Sequence, residues 1–138
     1  MRMRLVRLII AAALVCVIVI APVASSTEDN ETAQLARTLH VLASGEDYGT
    51  LLAVGSVMLN RVGNPAFADT LEGVLEQTGA LTGDEYDIES LRAARELLSG
   101  TRTLPENVLY LKREDSGGCW SSDGFFKQLG SFQFFTNI

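Results

Sequence analysis

Few side chains in this sequence are of the kinds that carry chemistry. His40 is the only histidine, and Cys119 is the only cysteine beyond an apolar N-terminal stretch that holds Cys16. One imidazole and one thiol make neither a His-rich metal site nor a cysteine cluster. No nucleophile motif lies near His40 to complete a Ser-His-Asp arrangement, and the imidazole reads as a half-buried spacer on a helix. Asp84, Glu85, Asp87 and Glu89 gather carboxylates, but without the spacing of a calcium loop; they read as the acidic start of a helix. No metal and no cofactor are expected. What remains is carboxylates for proton transfer, amides and hydroxyls for hydrogen bonding, and a few aromatic rings.

Charge narrows the partners. The chain carries 11 Lys and Arg against 17 Asp and Glu. Arg2, Arg4 and Arg7 stand at the extreme N-terminus, so the remainder has a net charge of about −9. That balance argues against nucleic acid and against anionic lipid surfaces. It leaves a carbohydrate open, since sugars are recognised by hydrogen bonds and stacking. The three arginines precede an unbroken apolar run over residues 8–20, then Ala21-Pro22-Val23-Ala24-Ser25-Ser26. This pattern is a signal segment with small residues suited to cleavage, and its run is short for a bilayer span. An uncleaved anchor is the alternative. Cys16 follows Ala13-Leu14-Val15, which lacks the small residue of a lipoprotein site, so it is filler in the apolar run. The expected organisation is residues 1–26 as signal peptide or anchor and residues 27–138 as one domain, placed outside the cytoplasm, with membrane contact only through the N-terminal segment.

The candidate residues need elements to hold them. Residues 27–30 read as a polar linker, with Thr27, Asp29 or Asn30 capping a helix to about Ala43 that carries Leu35, Leu39 and Leu42 at helical spacing. Gly45 stops it. Asp47 caps a second helix from Tyr48 to about Val62, apolar on most faces and therefore central, in which Gly55 and Ser56 admit a close neighbour. Asp69-Thr70 opens a short third helix, and residues 77–84 form a Gly- and Thr-rich loop. Asp87 caps a fourth helix to Leu98, with Gly100 just past its end. Val108 to Leu111 reads as a strand, and the segments containing Phe125-Phe126 and Phe132 to Phe135 as extended chain around Gly130. The expected fold class is α+β, four helices followed by a small antiparallel sheet.

Several of these segments together carry a resemblance. Gly45-Glu46-Asp47-Tyr48, then Leu59-Asn60-Arg61-Val62, Asn64-Pro65-Ala66-Phe67-Ala68-Asp69-Thr70 and Gly73-Val74 follow one another at fixed distances. Gln77 and Gly79, Ala93-Ala94-Arg95, Leu109-Tyr110, and Lys127 with Gly130 and Phe134 continue the series. This pattern resembles the SleB-type cell-wall hydrolases, the family of bacterial spore-cortex-lytic enzymes, over essentially the whole chain beyond the leader. The resemblance implies a lysozyme-like fold and a peptidoglycan substrate, cut between N-acetylmuramic acid and N-acetylglucosamine, commonly by lytic transglycosylation. Such chemistry needs a carboxylic acid held protonated beside the glycosidic oxygen.

One departure bears on that chemistry. The family motif E-A-R-G-E falls on residues 42–46, so its first Glu, the acid, corresponds to Leu42, and its Arg to Ser44. The second Glu is retained as Glu46. A histidine frequent in the family's last strand corresponds to Phe132. Leucine donates no proton. Glu46 is the remaining catalytic candidate; its structural alternative is to accept hydrogen bonds from the start of the second helix. The resemblance further marks Tyr48, Gln77, Thr78, Tyr110 and Trp120 as groove residues that could touch sugar, with core packing the alternative for the aromatics. Asn60 and Arg61 at a helix end read more simply as ligands of loop carbonyls. Two functions stay open: a glycan-strand hydrolase or transglycosylase working through Glu46, and a non-catalytic domain that holds peptidoglycan or another envelope protein.

Overall fold

The computed structural model describes residues 25–117 and 122–138. Helix α1 spans Ser25–Ala43 and α2 spans Tyr48–Val62; α3 is Leu71–Gln77 and α4 is Ile88–Leu98. Three strands follow, β1 Tyr110–Arg113, β2 Phe125–Leu129 and β3 Phe132–Phe135. Four helices and a three-stranded antiparallel sheet match the expected class. Residues 1–24 of the expected signal segment, Cys119 and Trp120 lie outside the described residues.

The helices end where local chemistry ends them. Asp47 accepts from the Thr50 backbone N–H at 2.8 Å, Thr70 from Gly73 at 3.1 Å and Asp87 from Ser90 at 2.8 Å, each closing the first turn of its helix. Residues 27–30, expected as a linker, are already helical. No Gly or Pro interrupts them. Helix α2 buries residues on every face. At Gly55 an added Cβ would stand 2.2 Å from Leu97 Cδ1 and 3.5 Å from Leu39 Cδ2, so α1 and α4 press on α2 at a point where only glycine fits. Leu35, Leu39, Val54, Val57 and Leu97 make the centre of that contact.

The sheet runs in the order β1-β3-β2, with β3 central. Phe132 and Phe134 of β3 are fully buried and key the sheet to the helices. Such rings lose about 3–5 kcal/mol when truncated to alanine. Gly130, at φ +54°, turns the β2–β3 hairpin. The first strand begins two residues later than expected. The Val108 N–H is used in a turn to the Pro105 carbonyl and the Val108 carbonyl is taken by Asn60, so pairing starts with the Leu109 N–H to Phe135.

Candidate functional site at the helix junction and hairpin tip

The α1–α2 junction is a four-residue connection that turns at Gly45, whose φ of +86° favours glycine. Leu42, in the last turn of α1, is half-buried and packs against the core. Its side chain therefore continues the apolar stripe and presents no ionisable group at the position that matters. Arg113, the last residue of β1, donates to the Leu42 carbonyl at 3.3 Å, and its guanidinium sits 5.2 Å over the Phe132 ring. Asp115 lies 3.5 Å from the same guanidinium. At this junction the chain sets an arginine across from the leucine.

Glu46 does not cap α2, as one reading had it. Asp47 occupies that position, with extended backbone and its side chain on Thr50, so the helix start is already satisfied. Glu46 turns instead to the hairpin tip, where its Oε2 accepts from the Ser131 N–H at 3.4 Å. A Cβ on Gly130 would lie 2.3 Å from that Oε2 and 3.1 Å from Thr50 Oγ1. The missing side chain at Gly130 is what lets the carboxylate approach. Thr50 is 1% exposed and its hydroxyl has no hydrogen-bond partner among the described residues. On the far side of the tip, Gln128 donates to Glu114 at 2.5 Å, and the Glu114 N–H donates to the Ser131 carbonyl at 2.8 Å. Carboxylates thus flank the hairpin tip, Glu46 from the helices and Glu114 from the sheet.

The other sequence candidates answer to separate neighbours. The Tyr48 hydroxyl donates to Glu96, and Arg92 stacks 4.7 Å over its ring, so this side chain faces α4. Burial, reinforced by the Glu96 carboxylate, pushes its pKa up to about 12. Tyr110 meets Phe67 at 5.8 Å between ring centroids. Gln77 accepts from the Ala68 N–H at 3.4 Å, and Thr78 donates to Leu75 and accepts from Ala80, closing the end of α3. Phe132, in the histidine's place, is 1% exposed and belongs to the core.

At the opposite end of α2, Asn60 donates to the carbonyls of Pro105 at 2.8 Å and Val108 at 3.1 Å, and Arg61 donates to Leu109 at 2.7 Å. Burial lowers the Arg61 pKa. Two surface hollows lie at this end. One, of about 500 Å³, is lined by Asn60, Arg102, Glu106 and Asn107 among others; the second, of about 580 Å³, borders it at Gly63 and Asn64. Neither includes Glu46 or any of the sugar-contact candidates. At the junction, Glu46 of the G-E segment meets the hairpin tip. Among the described residues no group of three His, Cys, Asp or Glu could hold a metal, and no helix is long and apolar enough to cross a membrane. Sequence reasoning passed over Arg113 and Thr50. A cation ending a strand and a threonine in a first helical turn are common, and only the fold brings them to Leu42 and Gly130.

Comparison with known proteins agrees with this architecture. The spore cortex-lytic enzyme of Halalkalibacterium halodurans is 31% identical over 67% of this chain; the aligned part spans 31% of that relative's length. The crystal structure of the catalytic domain of the Bacillus cereus SleB protein superposes with a TM-score of 0.65 at 22% identity, covering 78% of this chain and 90% of that one. The catalytic domain of the germination-specific lytic transglycosylase SleB from Bacillus anthracis gives a TM-score of 0.66 at 22% identity, over 83% and 99%. The family profile described as cell wall hydrolase matches residues 45–135, a stretch that takes in Glu46, the LNRV end of α2 and the whole sheet. With its motifs placed on the same elements that build the SleB fold, this chain belongs to the cell wall hydrolase family.

Proposed function

We propose that this chain is an extracytoplasmic, peptidoglycan-directed domain that engages glycan strands at the α1–α2 junction without cleaving them by the family's usual acid. Export would run through residues 1–26, as signal peptide or anchor, and the domain proper would begin at residue 27. The observation that carries the reading is Leu42. The residue at the acid's position is an apolar side chain packed on the core, and an arginine guanidinium is bonded to its carbonyl. A proton donor for a glycosidic oxygen has to be a carboxylic acid kept protonated, and a neighbouring cation acts against that. The fold around the junction is kept, which supports retained recognition of the glycan.

A second reading has its own observation. Glu46 is half-buried at the hairpin tip, one helical turn beyond Leu42, with a single backbone N–H against it. It is the carboxylate best placed to take over as acid. Tyr48, Gln77, Thr78, Tyr110 and Trp120 stay in both readings as sugar-contact candidates. Incubating the chain with purified sacculi and analysing the soluble products by mass spectrometry separates the two. No released fragment, with the chain retained on insoluble peptidoglycan, is the expected result. Anhydro-muropeptides or new reducing ends would overturn the non-cleaving reading, and absence of retention would overturn glycan binding itself.

A further inference from the structure

The hollow at the C-terminal end of α2 lined by Asn60, Arg102, Glu106 and Asn107 is used by neither reading. Its volume of about 500 Å³ falls within the range of small-ligand sites, roughly 300–1,000 Å³. The side chains of Glu106 and Asn107 line it and make no hydrogen bond among the described residues. Asn64 uses its Oδ1 on the Ala66 N–H, at 2.9 Å, and leaves its amide N–H group on the wall. Arg102 spends one nitrogen on the Leu97 and Thr101 carbonyls, which fixes the guanidinium at the rim. Leu59 adds an apolar wall, and the adjoining hollow adds Pro65 and Phe67. Donors, acceptors and apolar surface therefore meet in one concavity.

The chemistry of that lining selects a ligand class. Glu106 and the chain's acidity oppose a phosphate or another polyanion, and one nitrogen of Arg102 is held by the Leu97 and Thr101 carbonyls. A purely apolar ligand would leave the amides of Asn64 and Asn107 unpaired. A neutral, hydroxyl- and amide-bearing ring satisfies both kinds of wall. We propose that this hollow is a second saccharide site, an exosite for N-acetylated sugar units of the same glycan polymer that the junction faces. The inference rests on the glycan-directed reading of the domain. Helix α2 separates the two sites by about 22 Å, at 1.5 Å per residue, so one strand could reach both. Weak binding at each end would then sum to firm retention on a polymer.

The test uses the full chain, isotope-labelled and kept in a mild detergent, titrated with chitotriose, an uncharged trimer of N-acetylglucosamine. The side-chain amide signals of Asn64 and Asn107 and the backbone signal of Gly63 should move in a saturable way. Removing the two unpartnered groups together, Glu106→Ala with Asn107→Ala, should weaken that binding about tenfold, the effect of two modest hydrogen bonds, with the unfolding midpoint unchanged. Asn107→Trp, which fills the hollow, should abolish the shifts. Still signals at Asn64, Asn107 and Gly63, or equal affinity in these variants, would overturn the exosite. Shifts confined to Glu46, Gly130 and Ser131 would also overturn it while upholding glycan binding at the junction, whereas loss of all retention on sacculi would strike the wider reading instead.

Discussion

The two ends of helix α2 are held in different ways. At the C-terminal end, Asn60 and Arg61 hold three loop carbonyls, those of Pro105, Val108 and Leu109, and so tie the helix to the start of the sheet. At the N-terminal end, Leu42 packs on the core and Glu46 leans on the hairpin tip. In the proposed reading Leu42 stands where the family's acid belongs, so the framework residues are kept and the proton donor is not. The difference teaches that the two are independent in energy. Asn60 and Arg61 are needed to fold, since buried carbonyls left alone are costly. The acid is needed only to react, and a leucine in its place completes an apolar stripe.

Restoring the acid tests that independence most strongly. Leu42→Glu should give release of soluble muropeptides from sacculi where the native chain gives none, since a positioned general acid is worth about 10²–10⁴-fold in rate. A folded Leu42→Glu variant without release would show that the groove has decayed along with the acid. At the other end, Asn60→Ala strands the Val108 carbonyl, while that of Pro105 keeps the Val108 N–H, and should lower stability by about 2 kcal/mol, read from the denaturant midpoint. A loss no larger than that of an exposed alanine substitution would break the contrast between the ends.

The hairpin tip should respond by a similar amount. Gly130→Ala forces alanine into a left-handed conformation and pushes Glu46 off the Ser131 N–H; together these should cost about 2 kcal/mol. Repeating the change in a Glu46→Ala background should shrink the penalty, and a double-mutant cycle with no coupling would mean that Glu46 does not brace the tip. Tyr48 should ionise late in an absorbance titration, near 12. Because its folded pKa is raised, the stability linked to it is complete below the ordinary value of 10.0 and is lost as pH rises from there to about 12. Glu96→Gln should bring that titration down.

The smallest effect concerns the helix caps. Hydrogen bonding to the Thr50 N–H lowers the Asp47 pKa, and bonding to the Ser90 N–H lowers that of Asp87. For a lowered carboxylate pKa, the stability is present above the ordinary value of 3.8 and is lost as pH falls below it toward the folded value. Denaturant midpoints measured down through that range should fall less steeply in Asp47→Asn and Asp87→Asn, because asparagine caps as well without titrating. Equal slopes would deny the caps their part in acid sensitivity.

Much was legible before any coordinates. The caps at Asp47 and Asp87, the buried all-round face of α2, the glycine contact at Gly55 and the hairpin around Gly130 follow from short-range rules that involve one element and its ends. The motif spacing from Gly45 through Gly73-Val74 was enough to indicate the family, and Leu42 stood out against it. The start of β1 differs from the expectation by two residues, because strand pairing depends on which backbone groups other elements have already claimed, as Asn60 claims Val108.

The sequence by itself determined that position 42 offers no acid, because a leucine carries no ionisable proton whatever surrounds it. It also determined the periodicity that assigns each element its buried face. Only the tertiary structure decided what Glu46 does, since the Ser131 N–H it meets is 85 residues away along the chain. It alone set Arg113 against the Leu42 carbonyl and gathered Asn60, Arg102 and Asn107 around one hollow. Local propensity is written residue by residue, but a site is made of groups that packing brings together from distant parts of the chain.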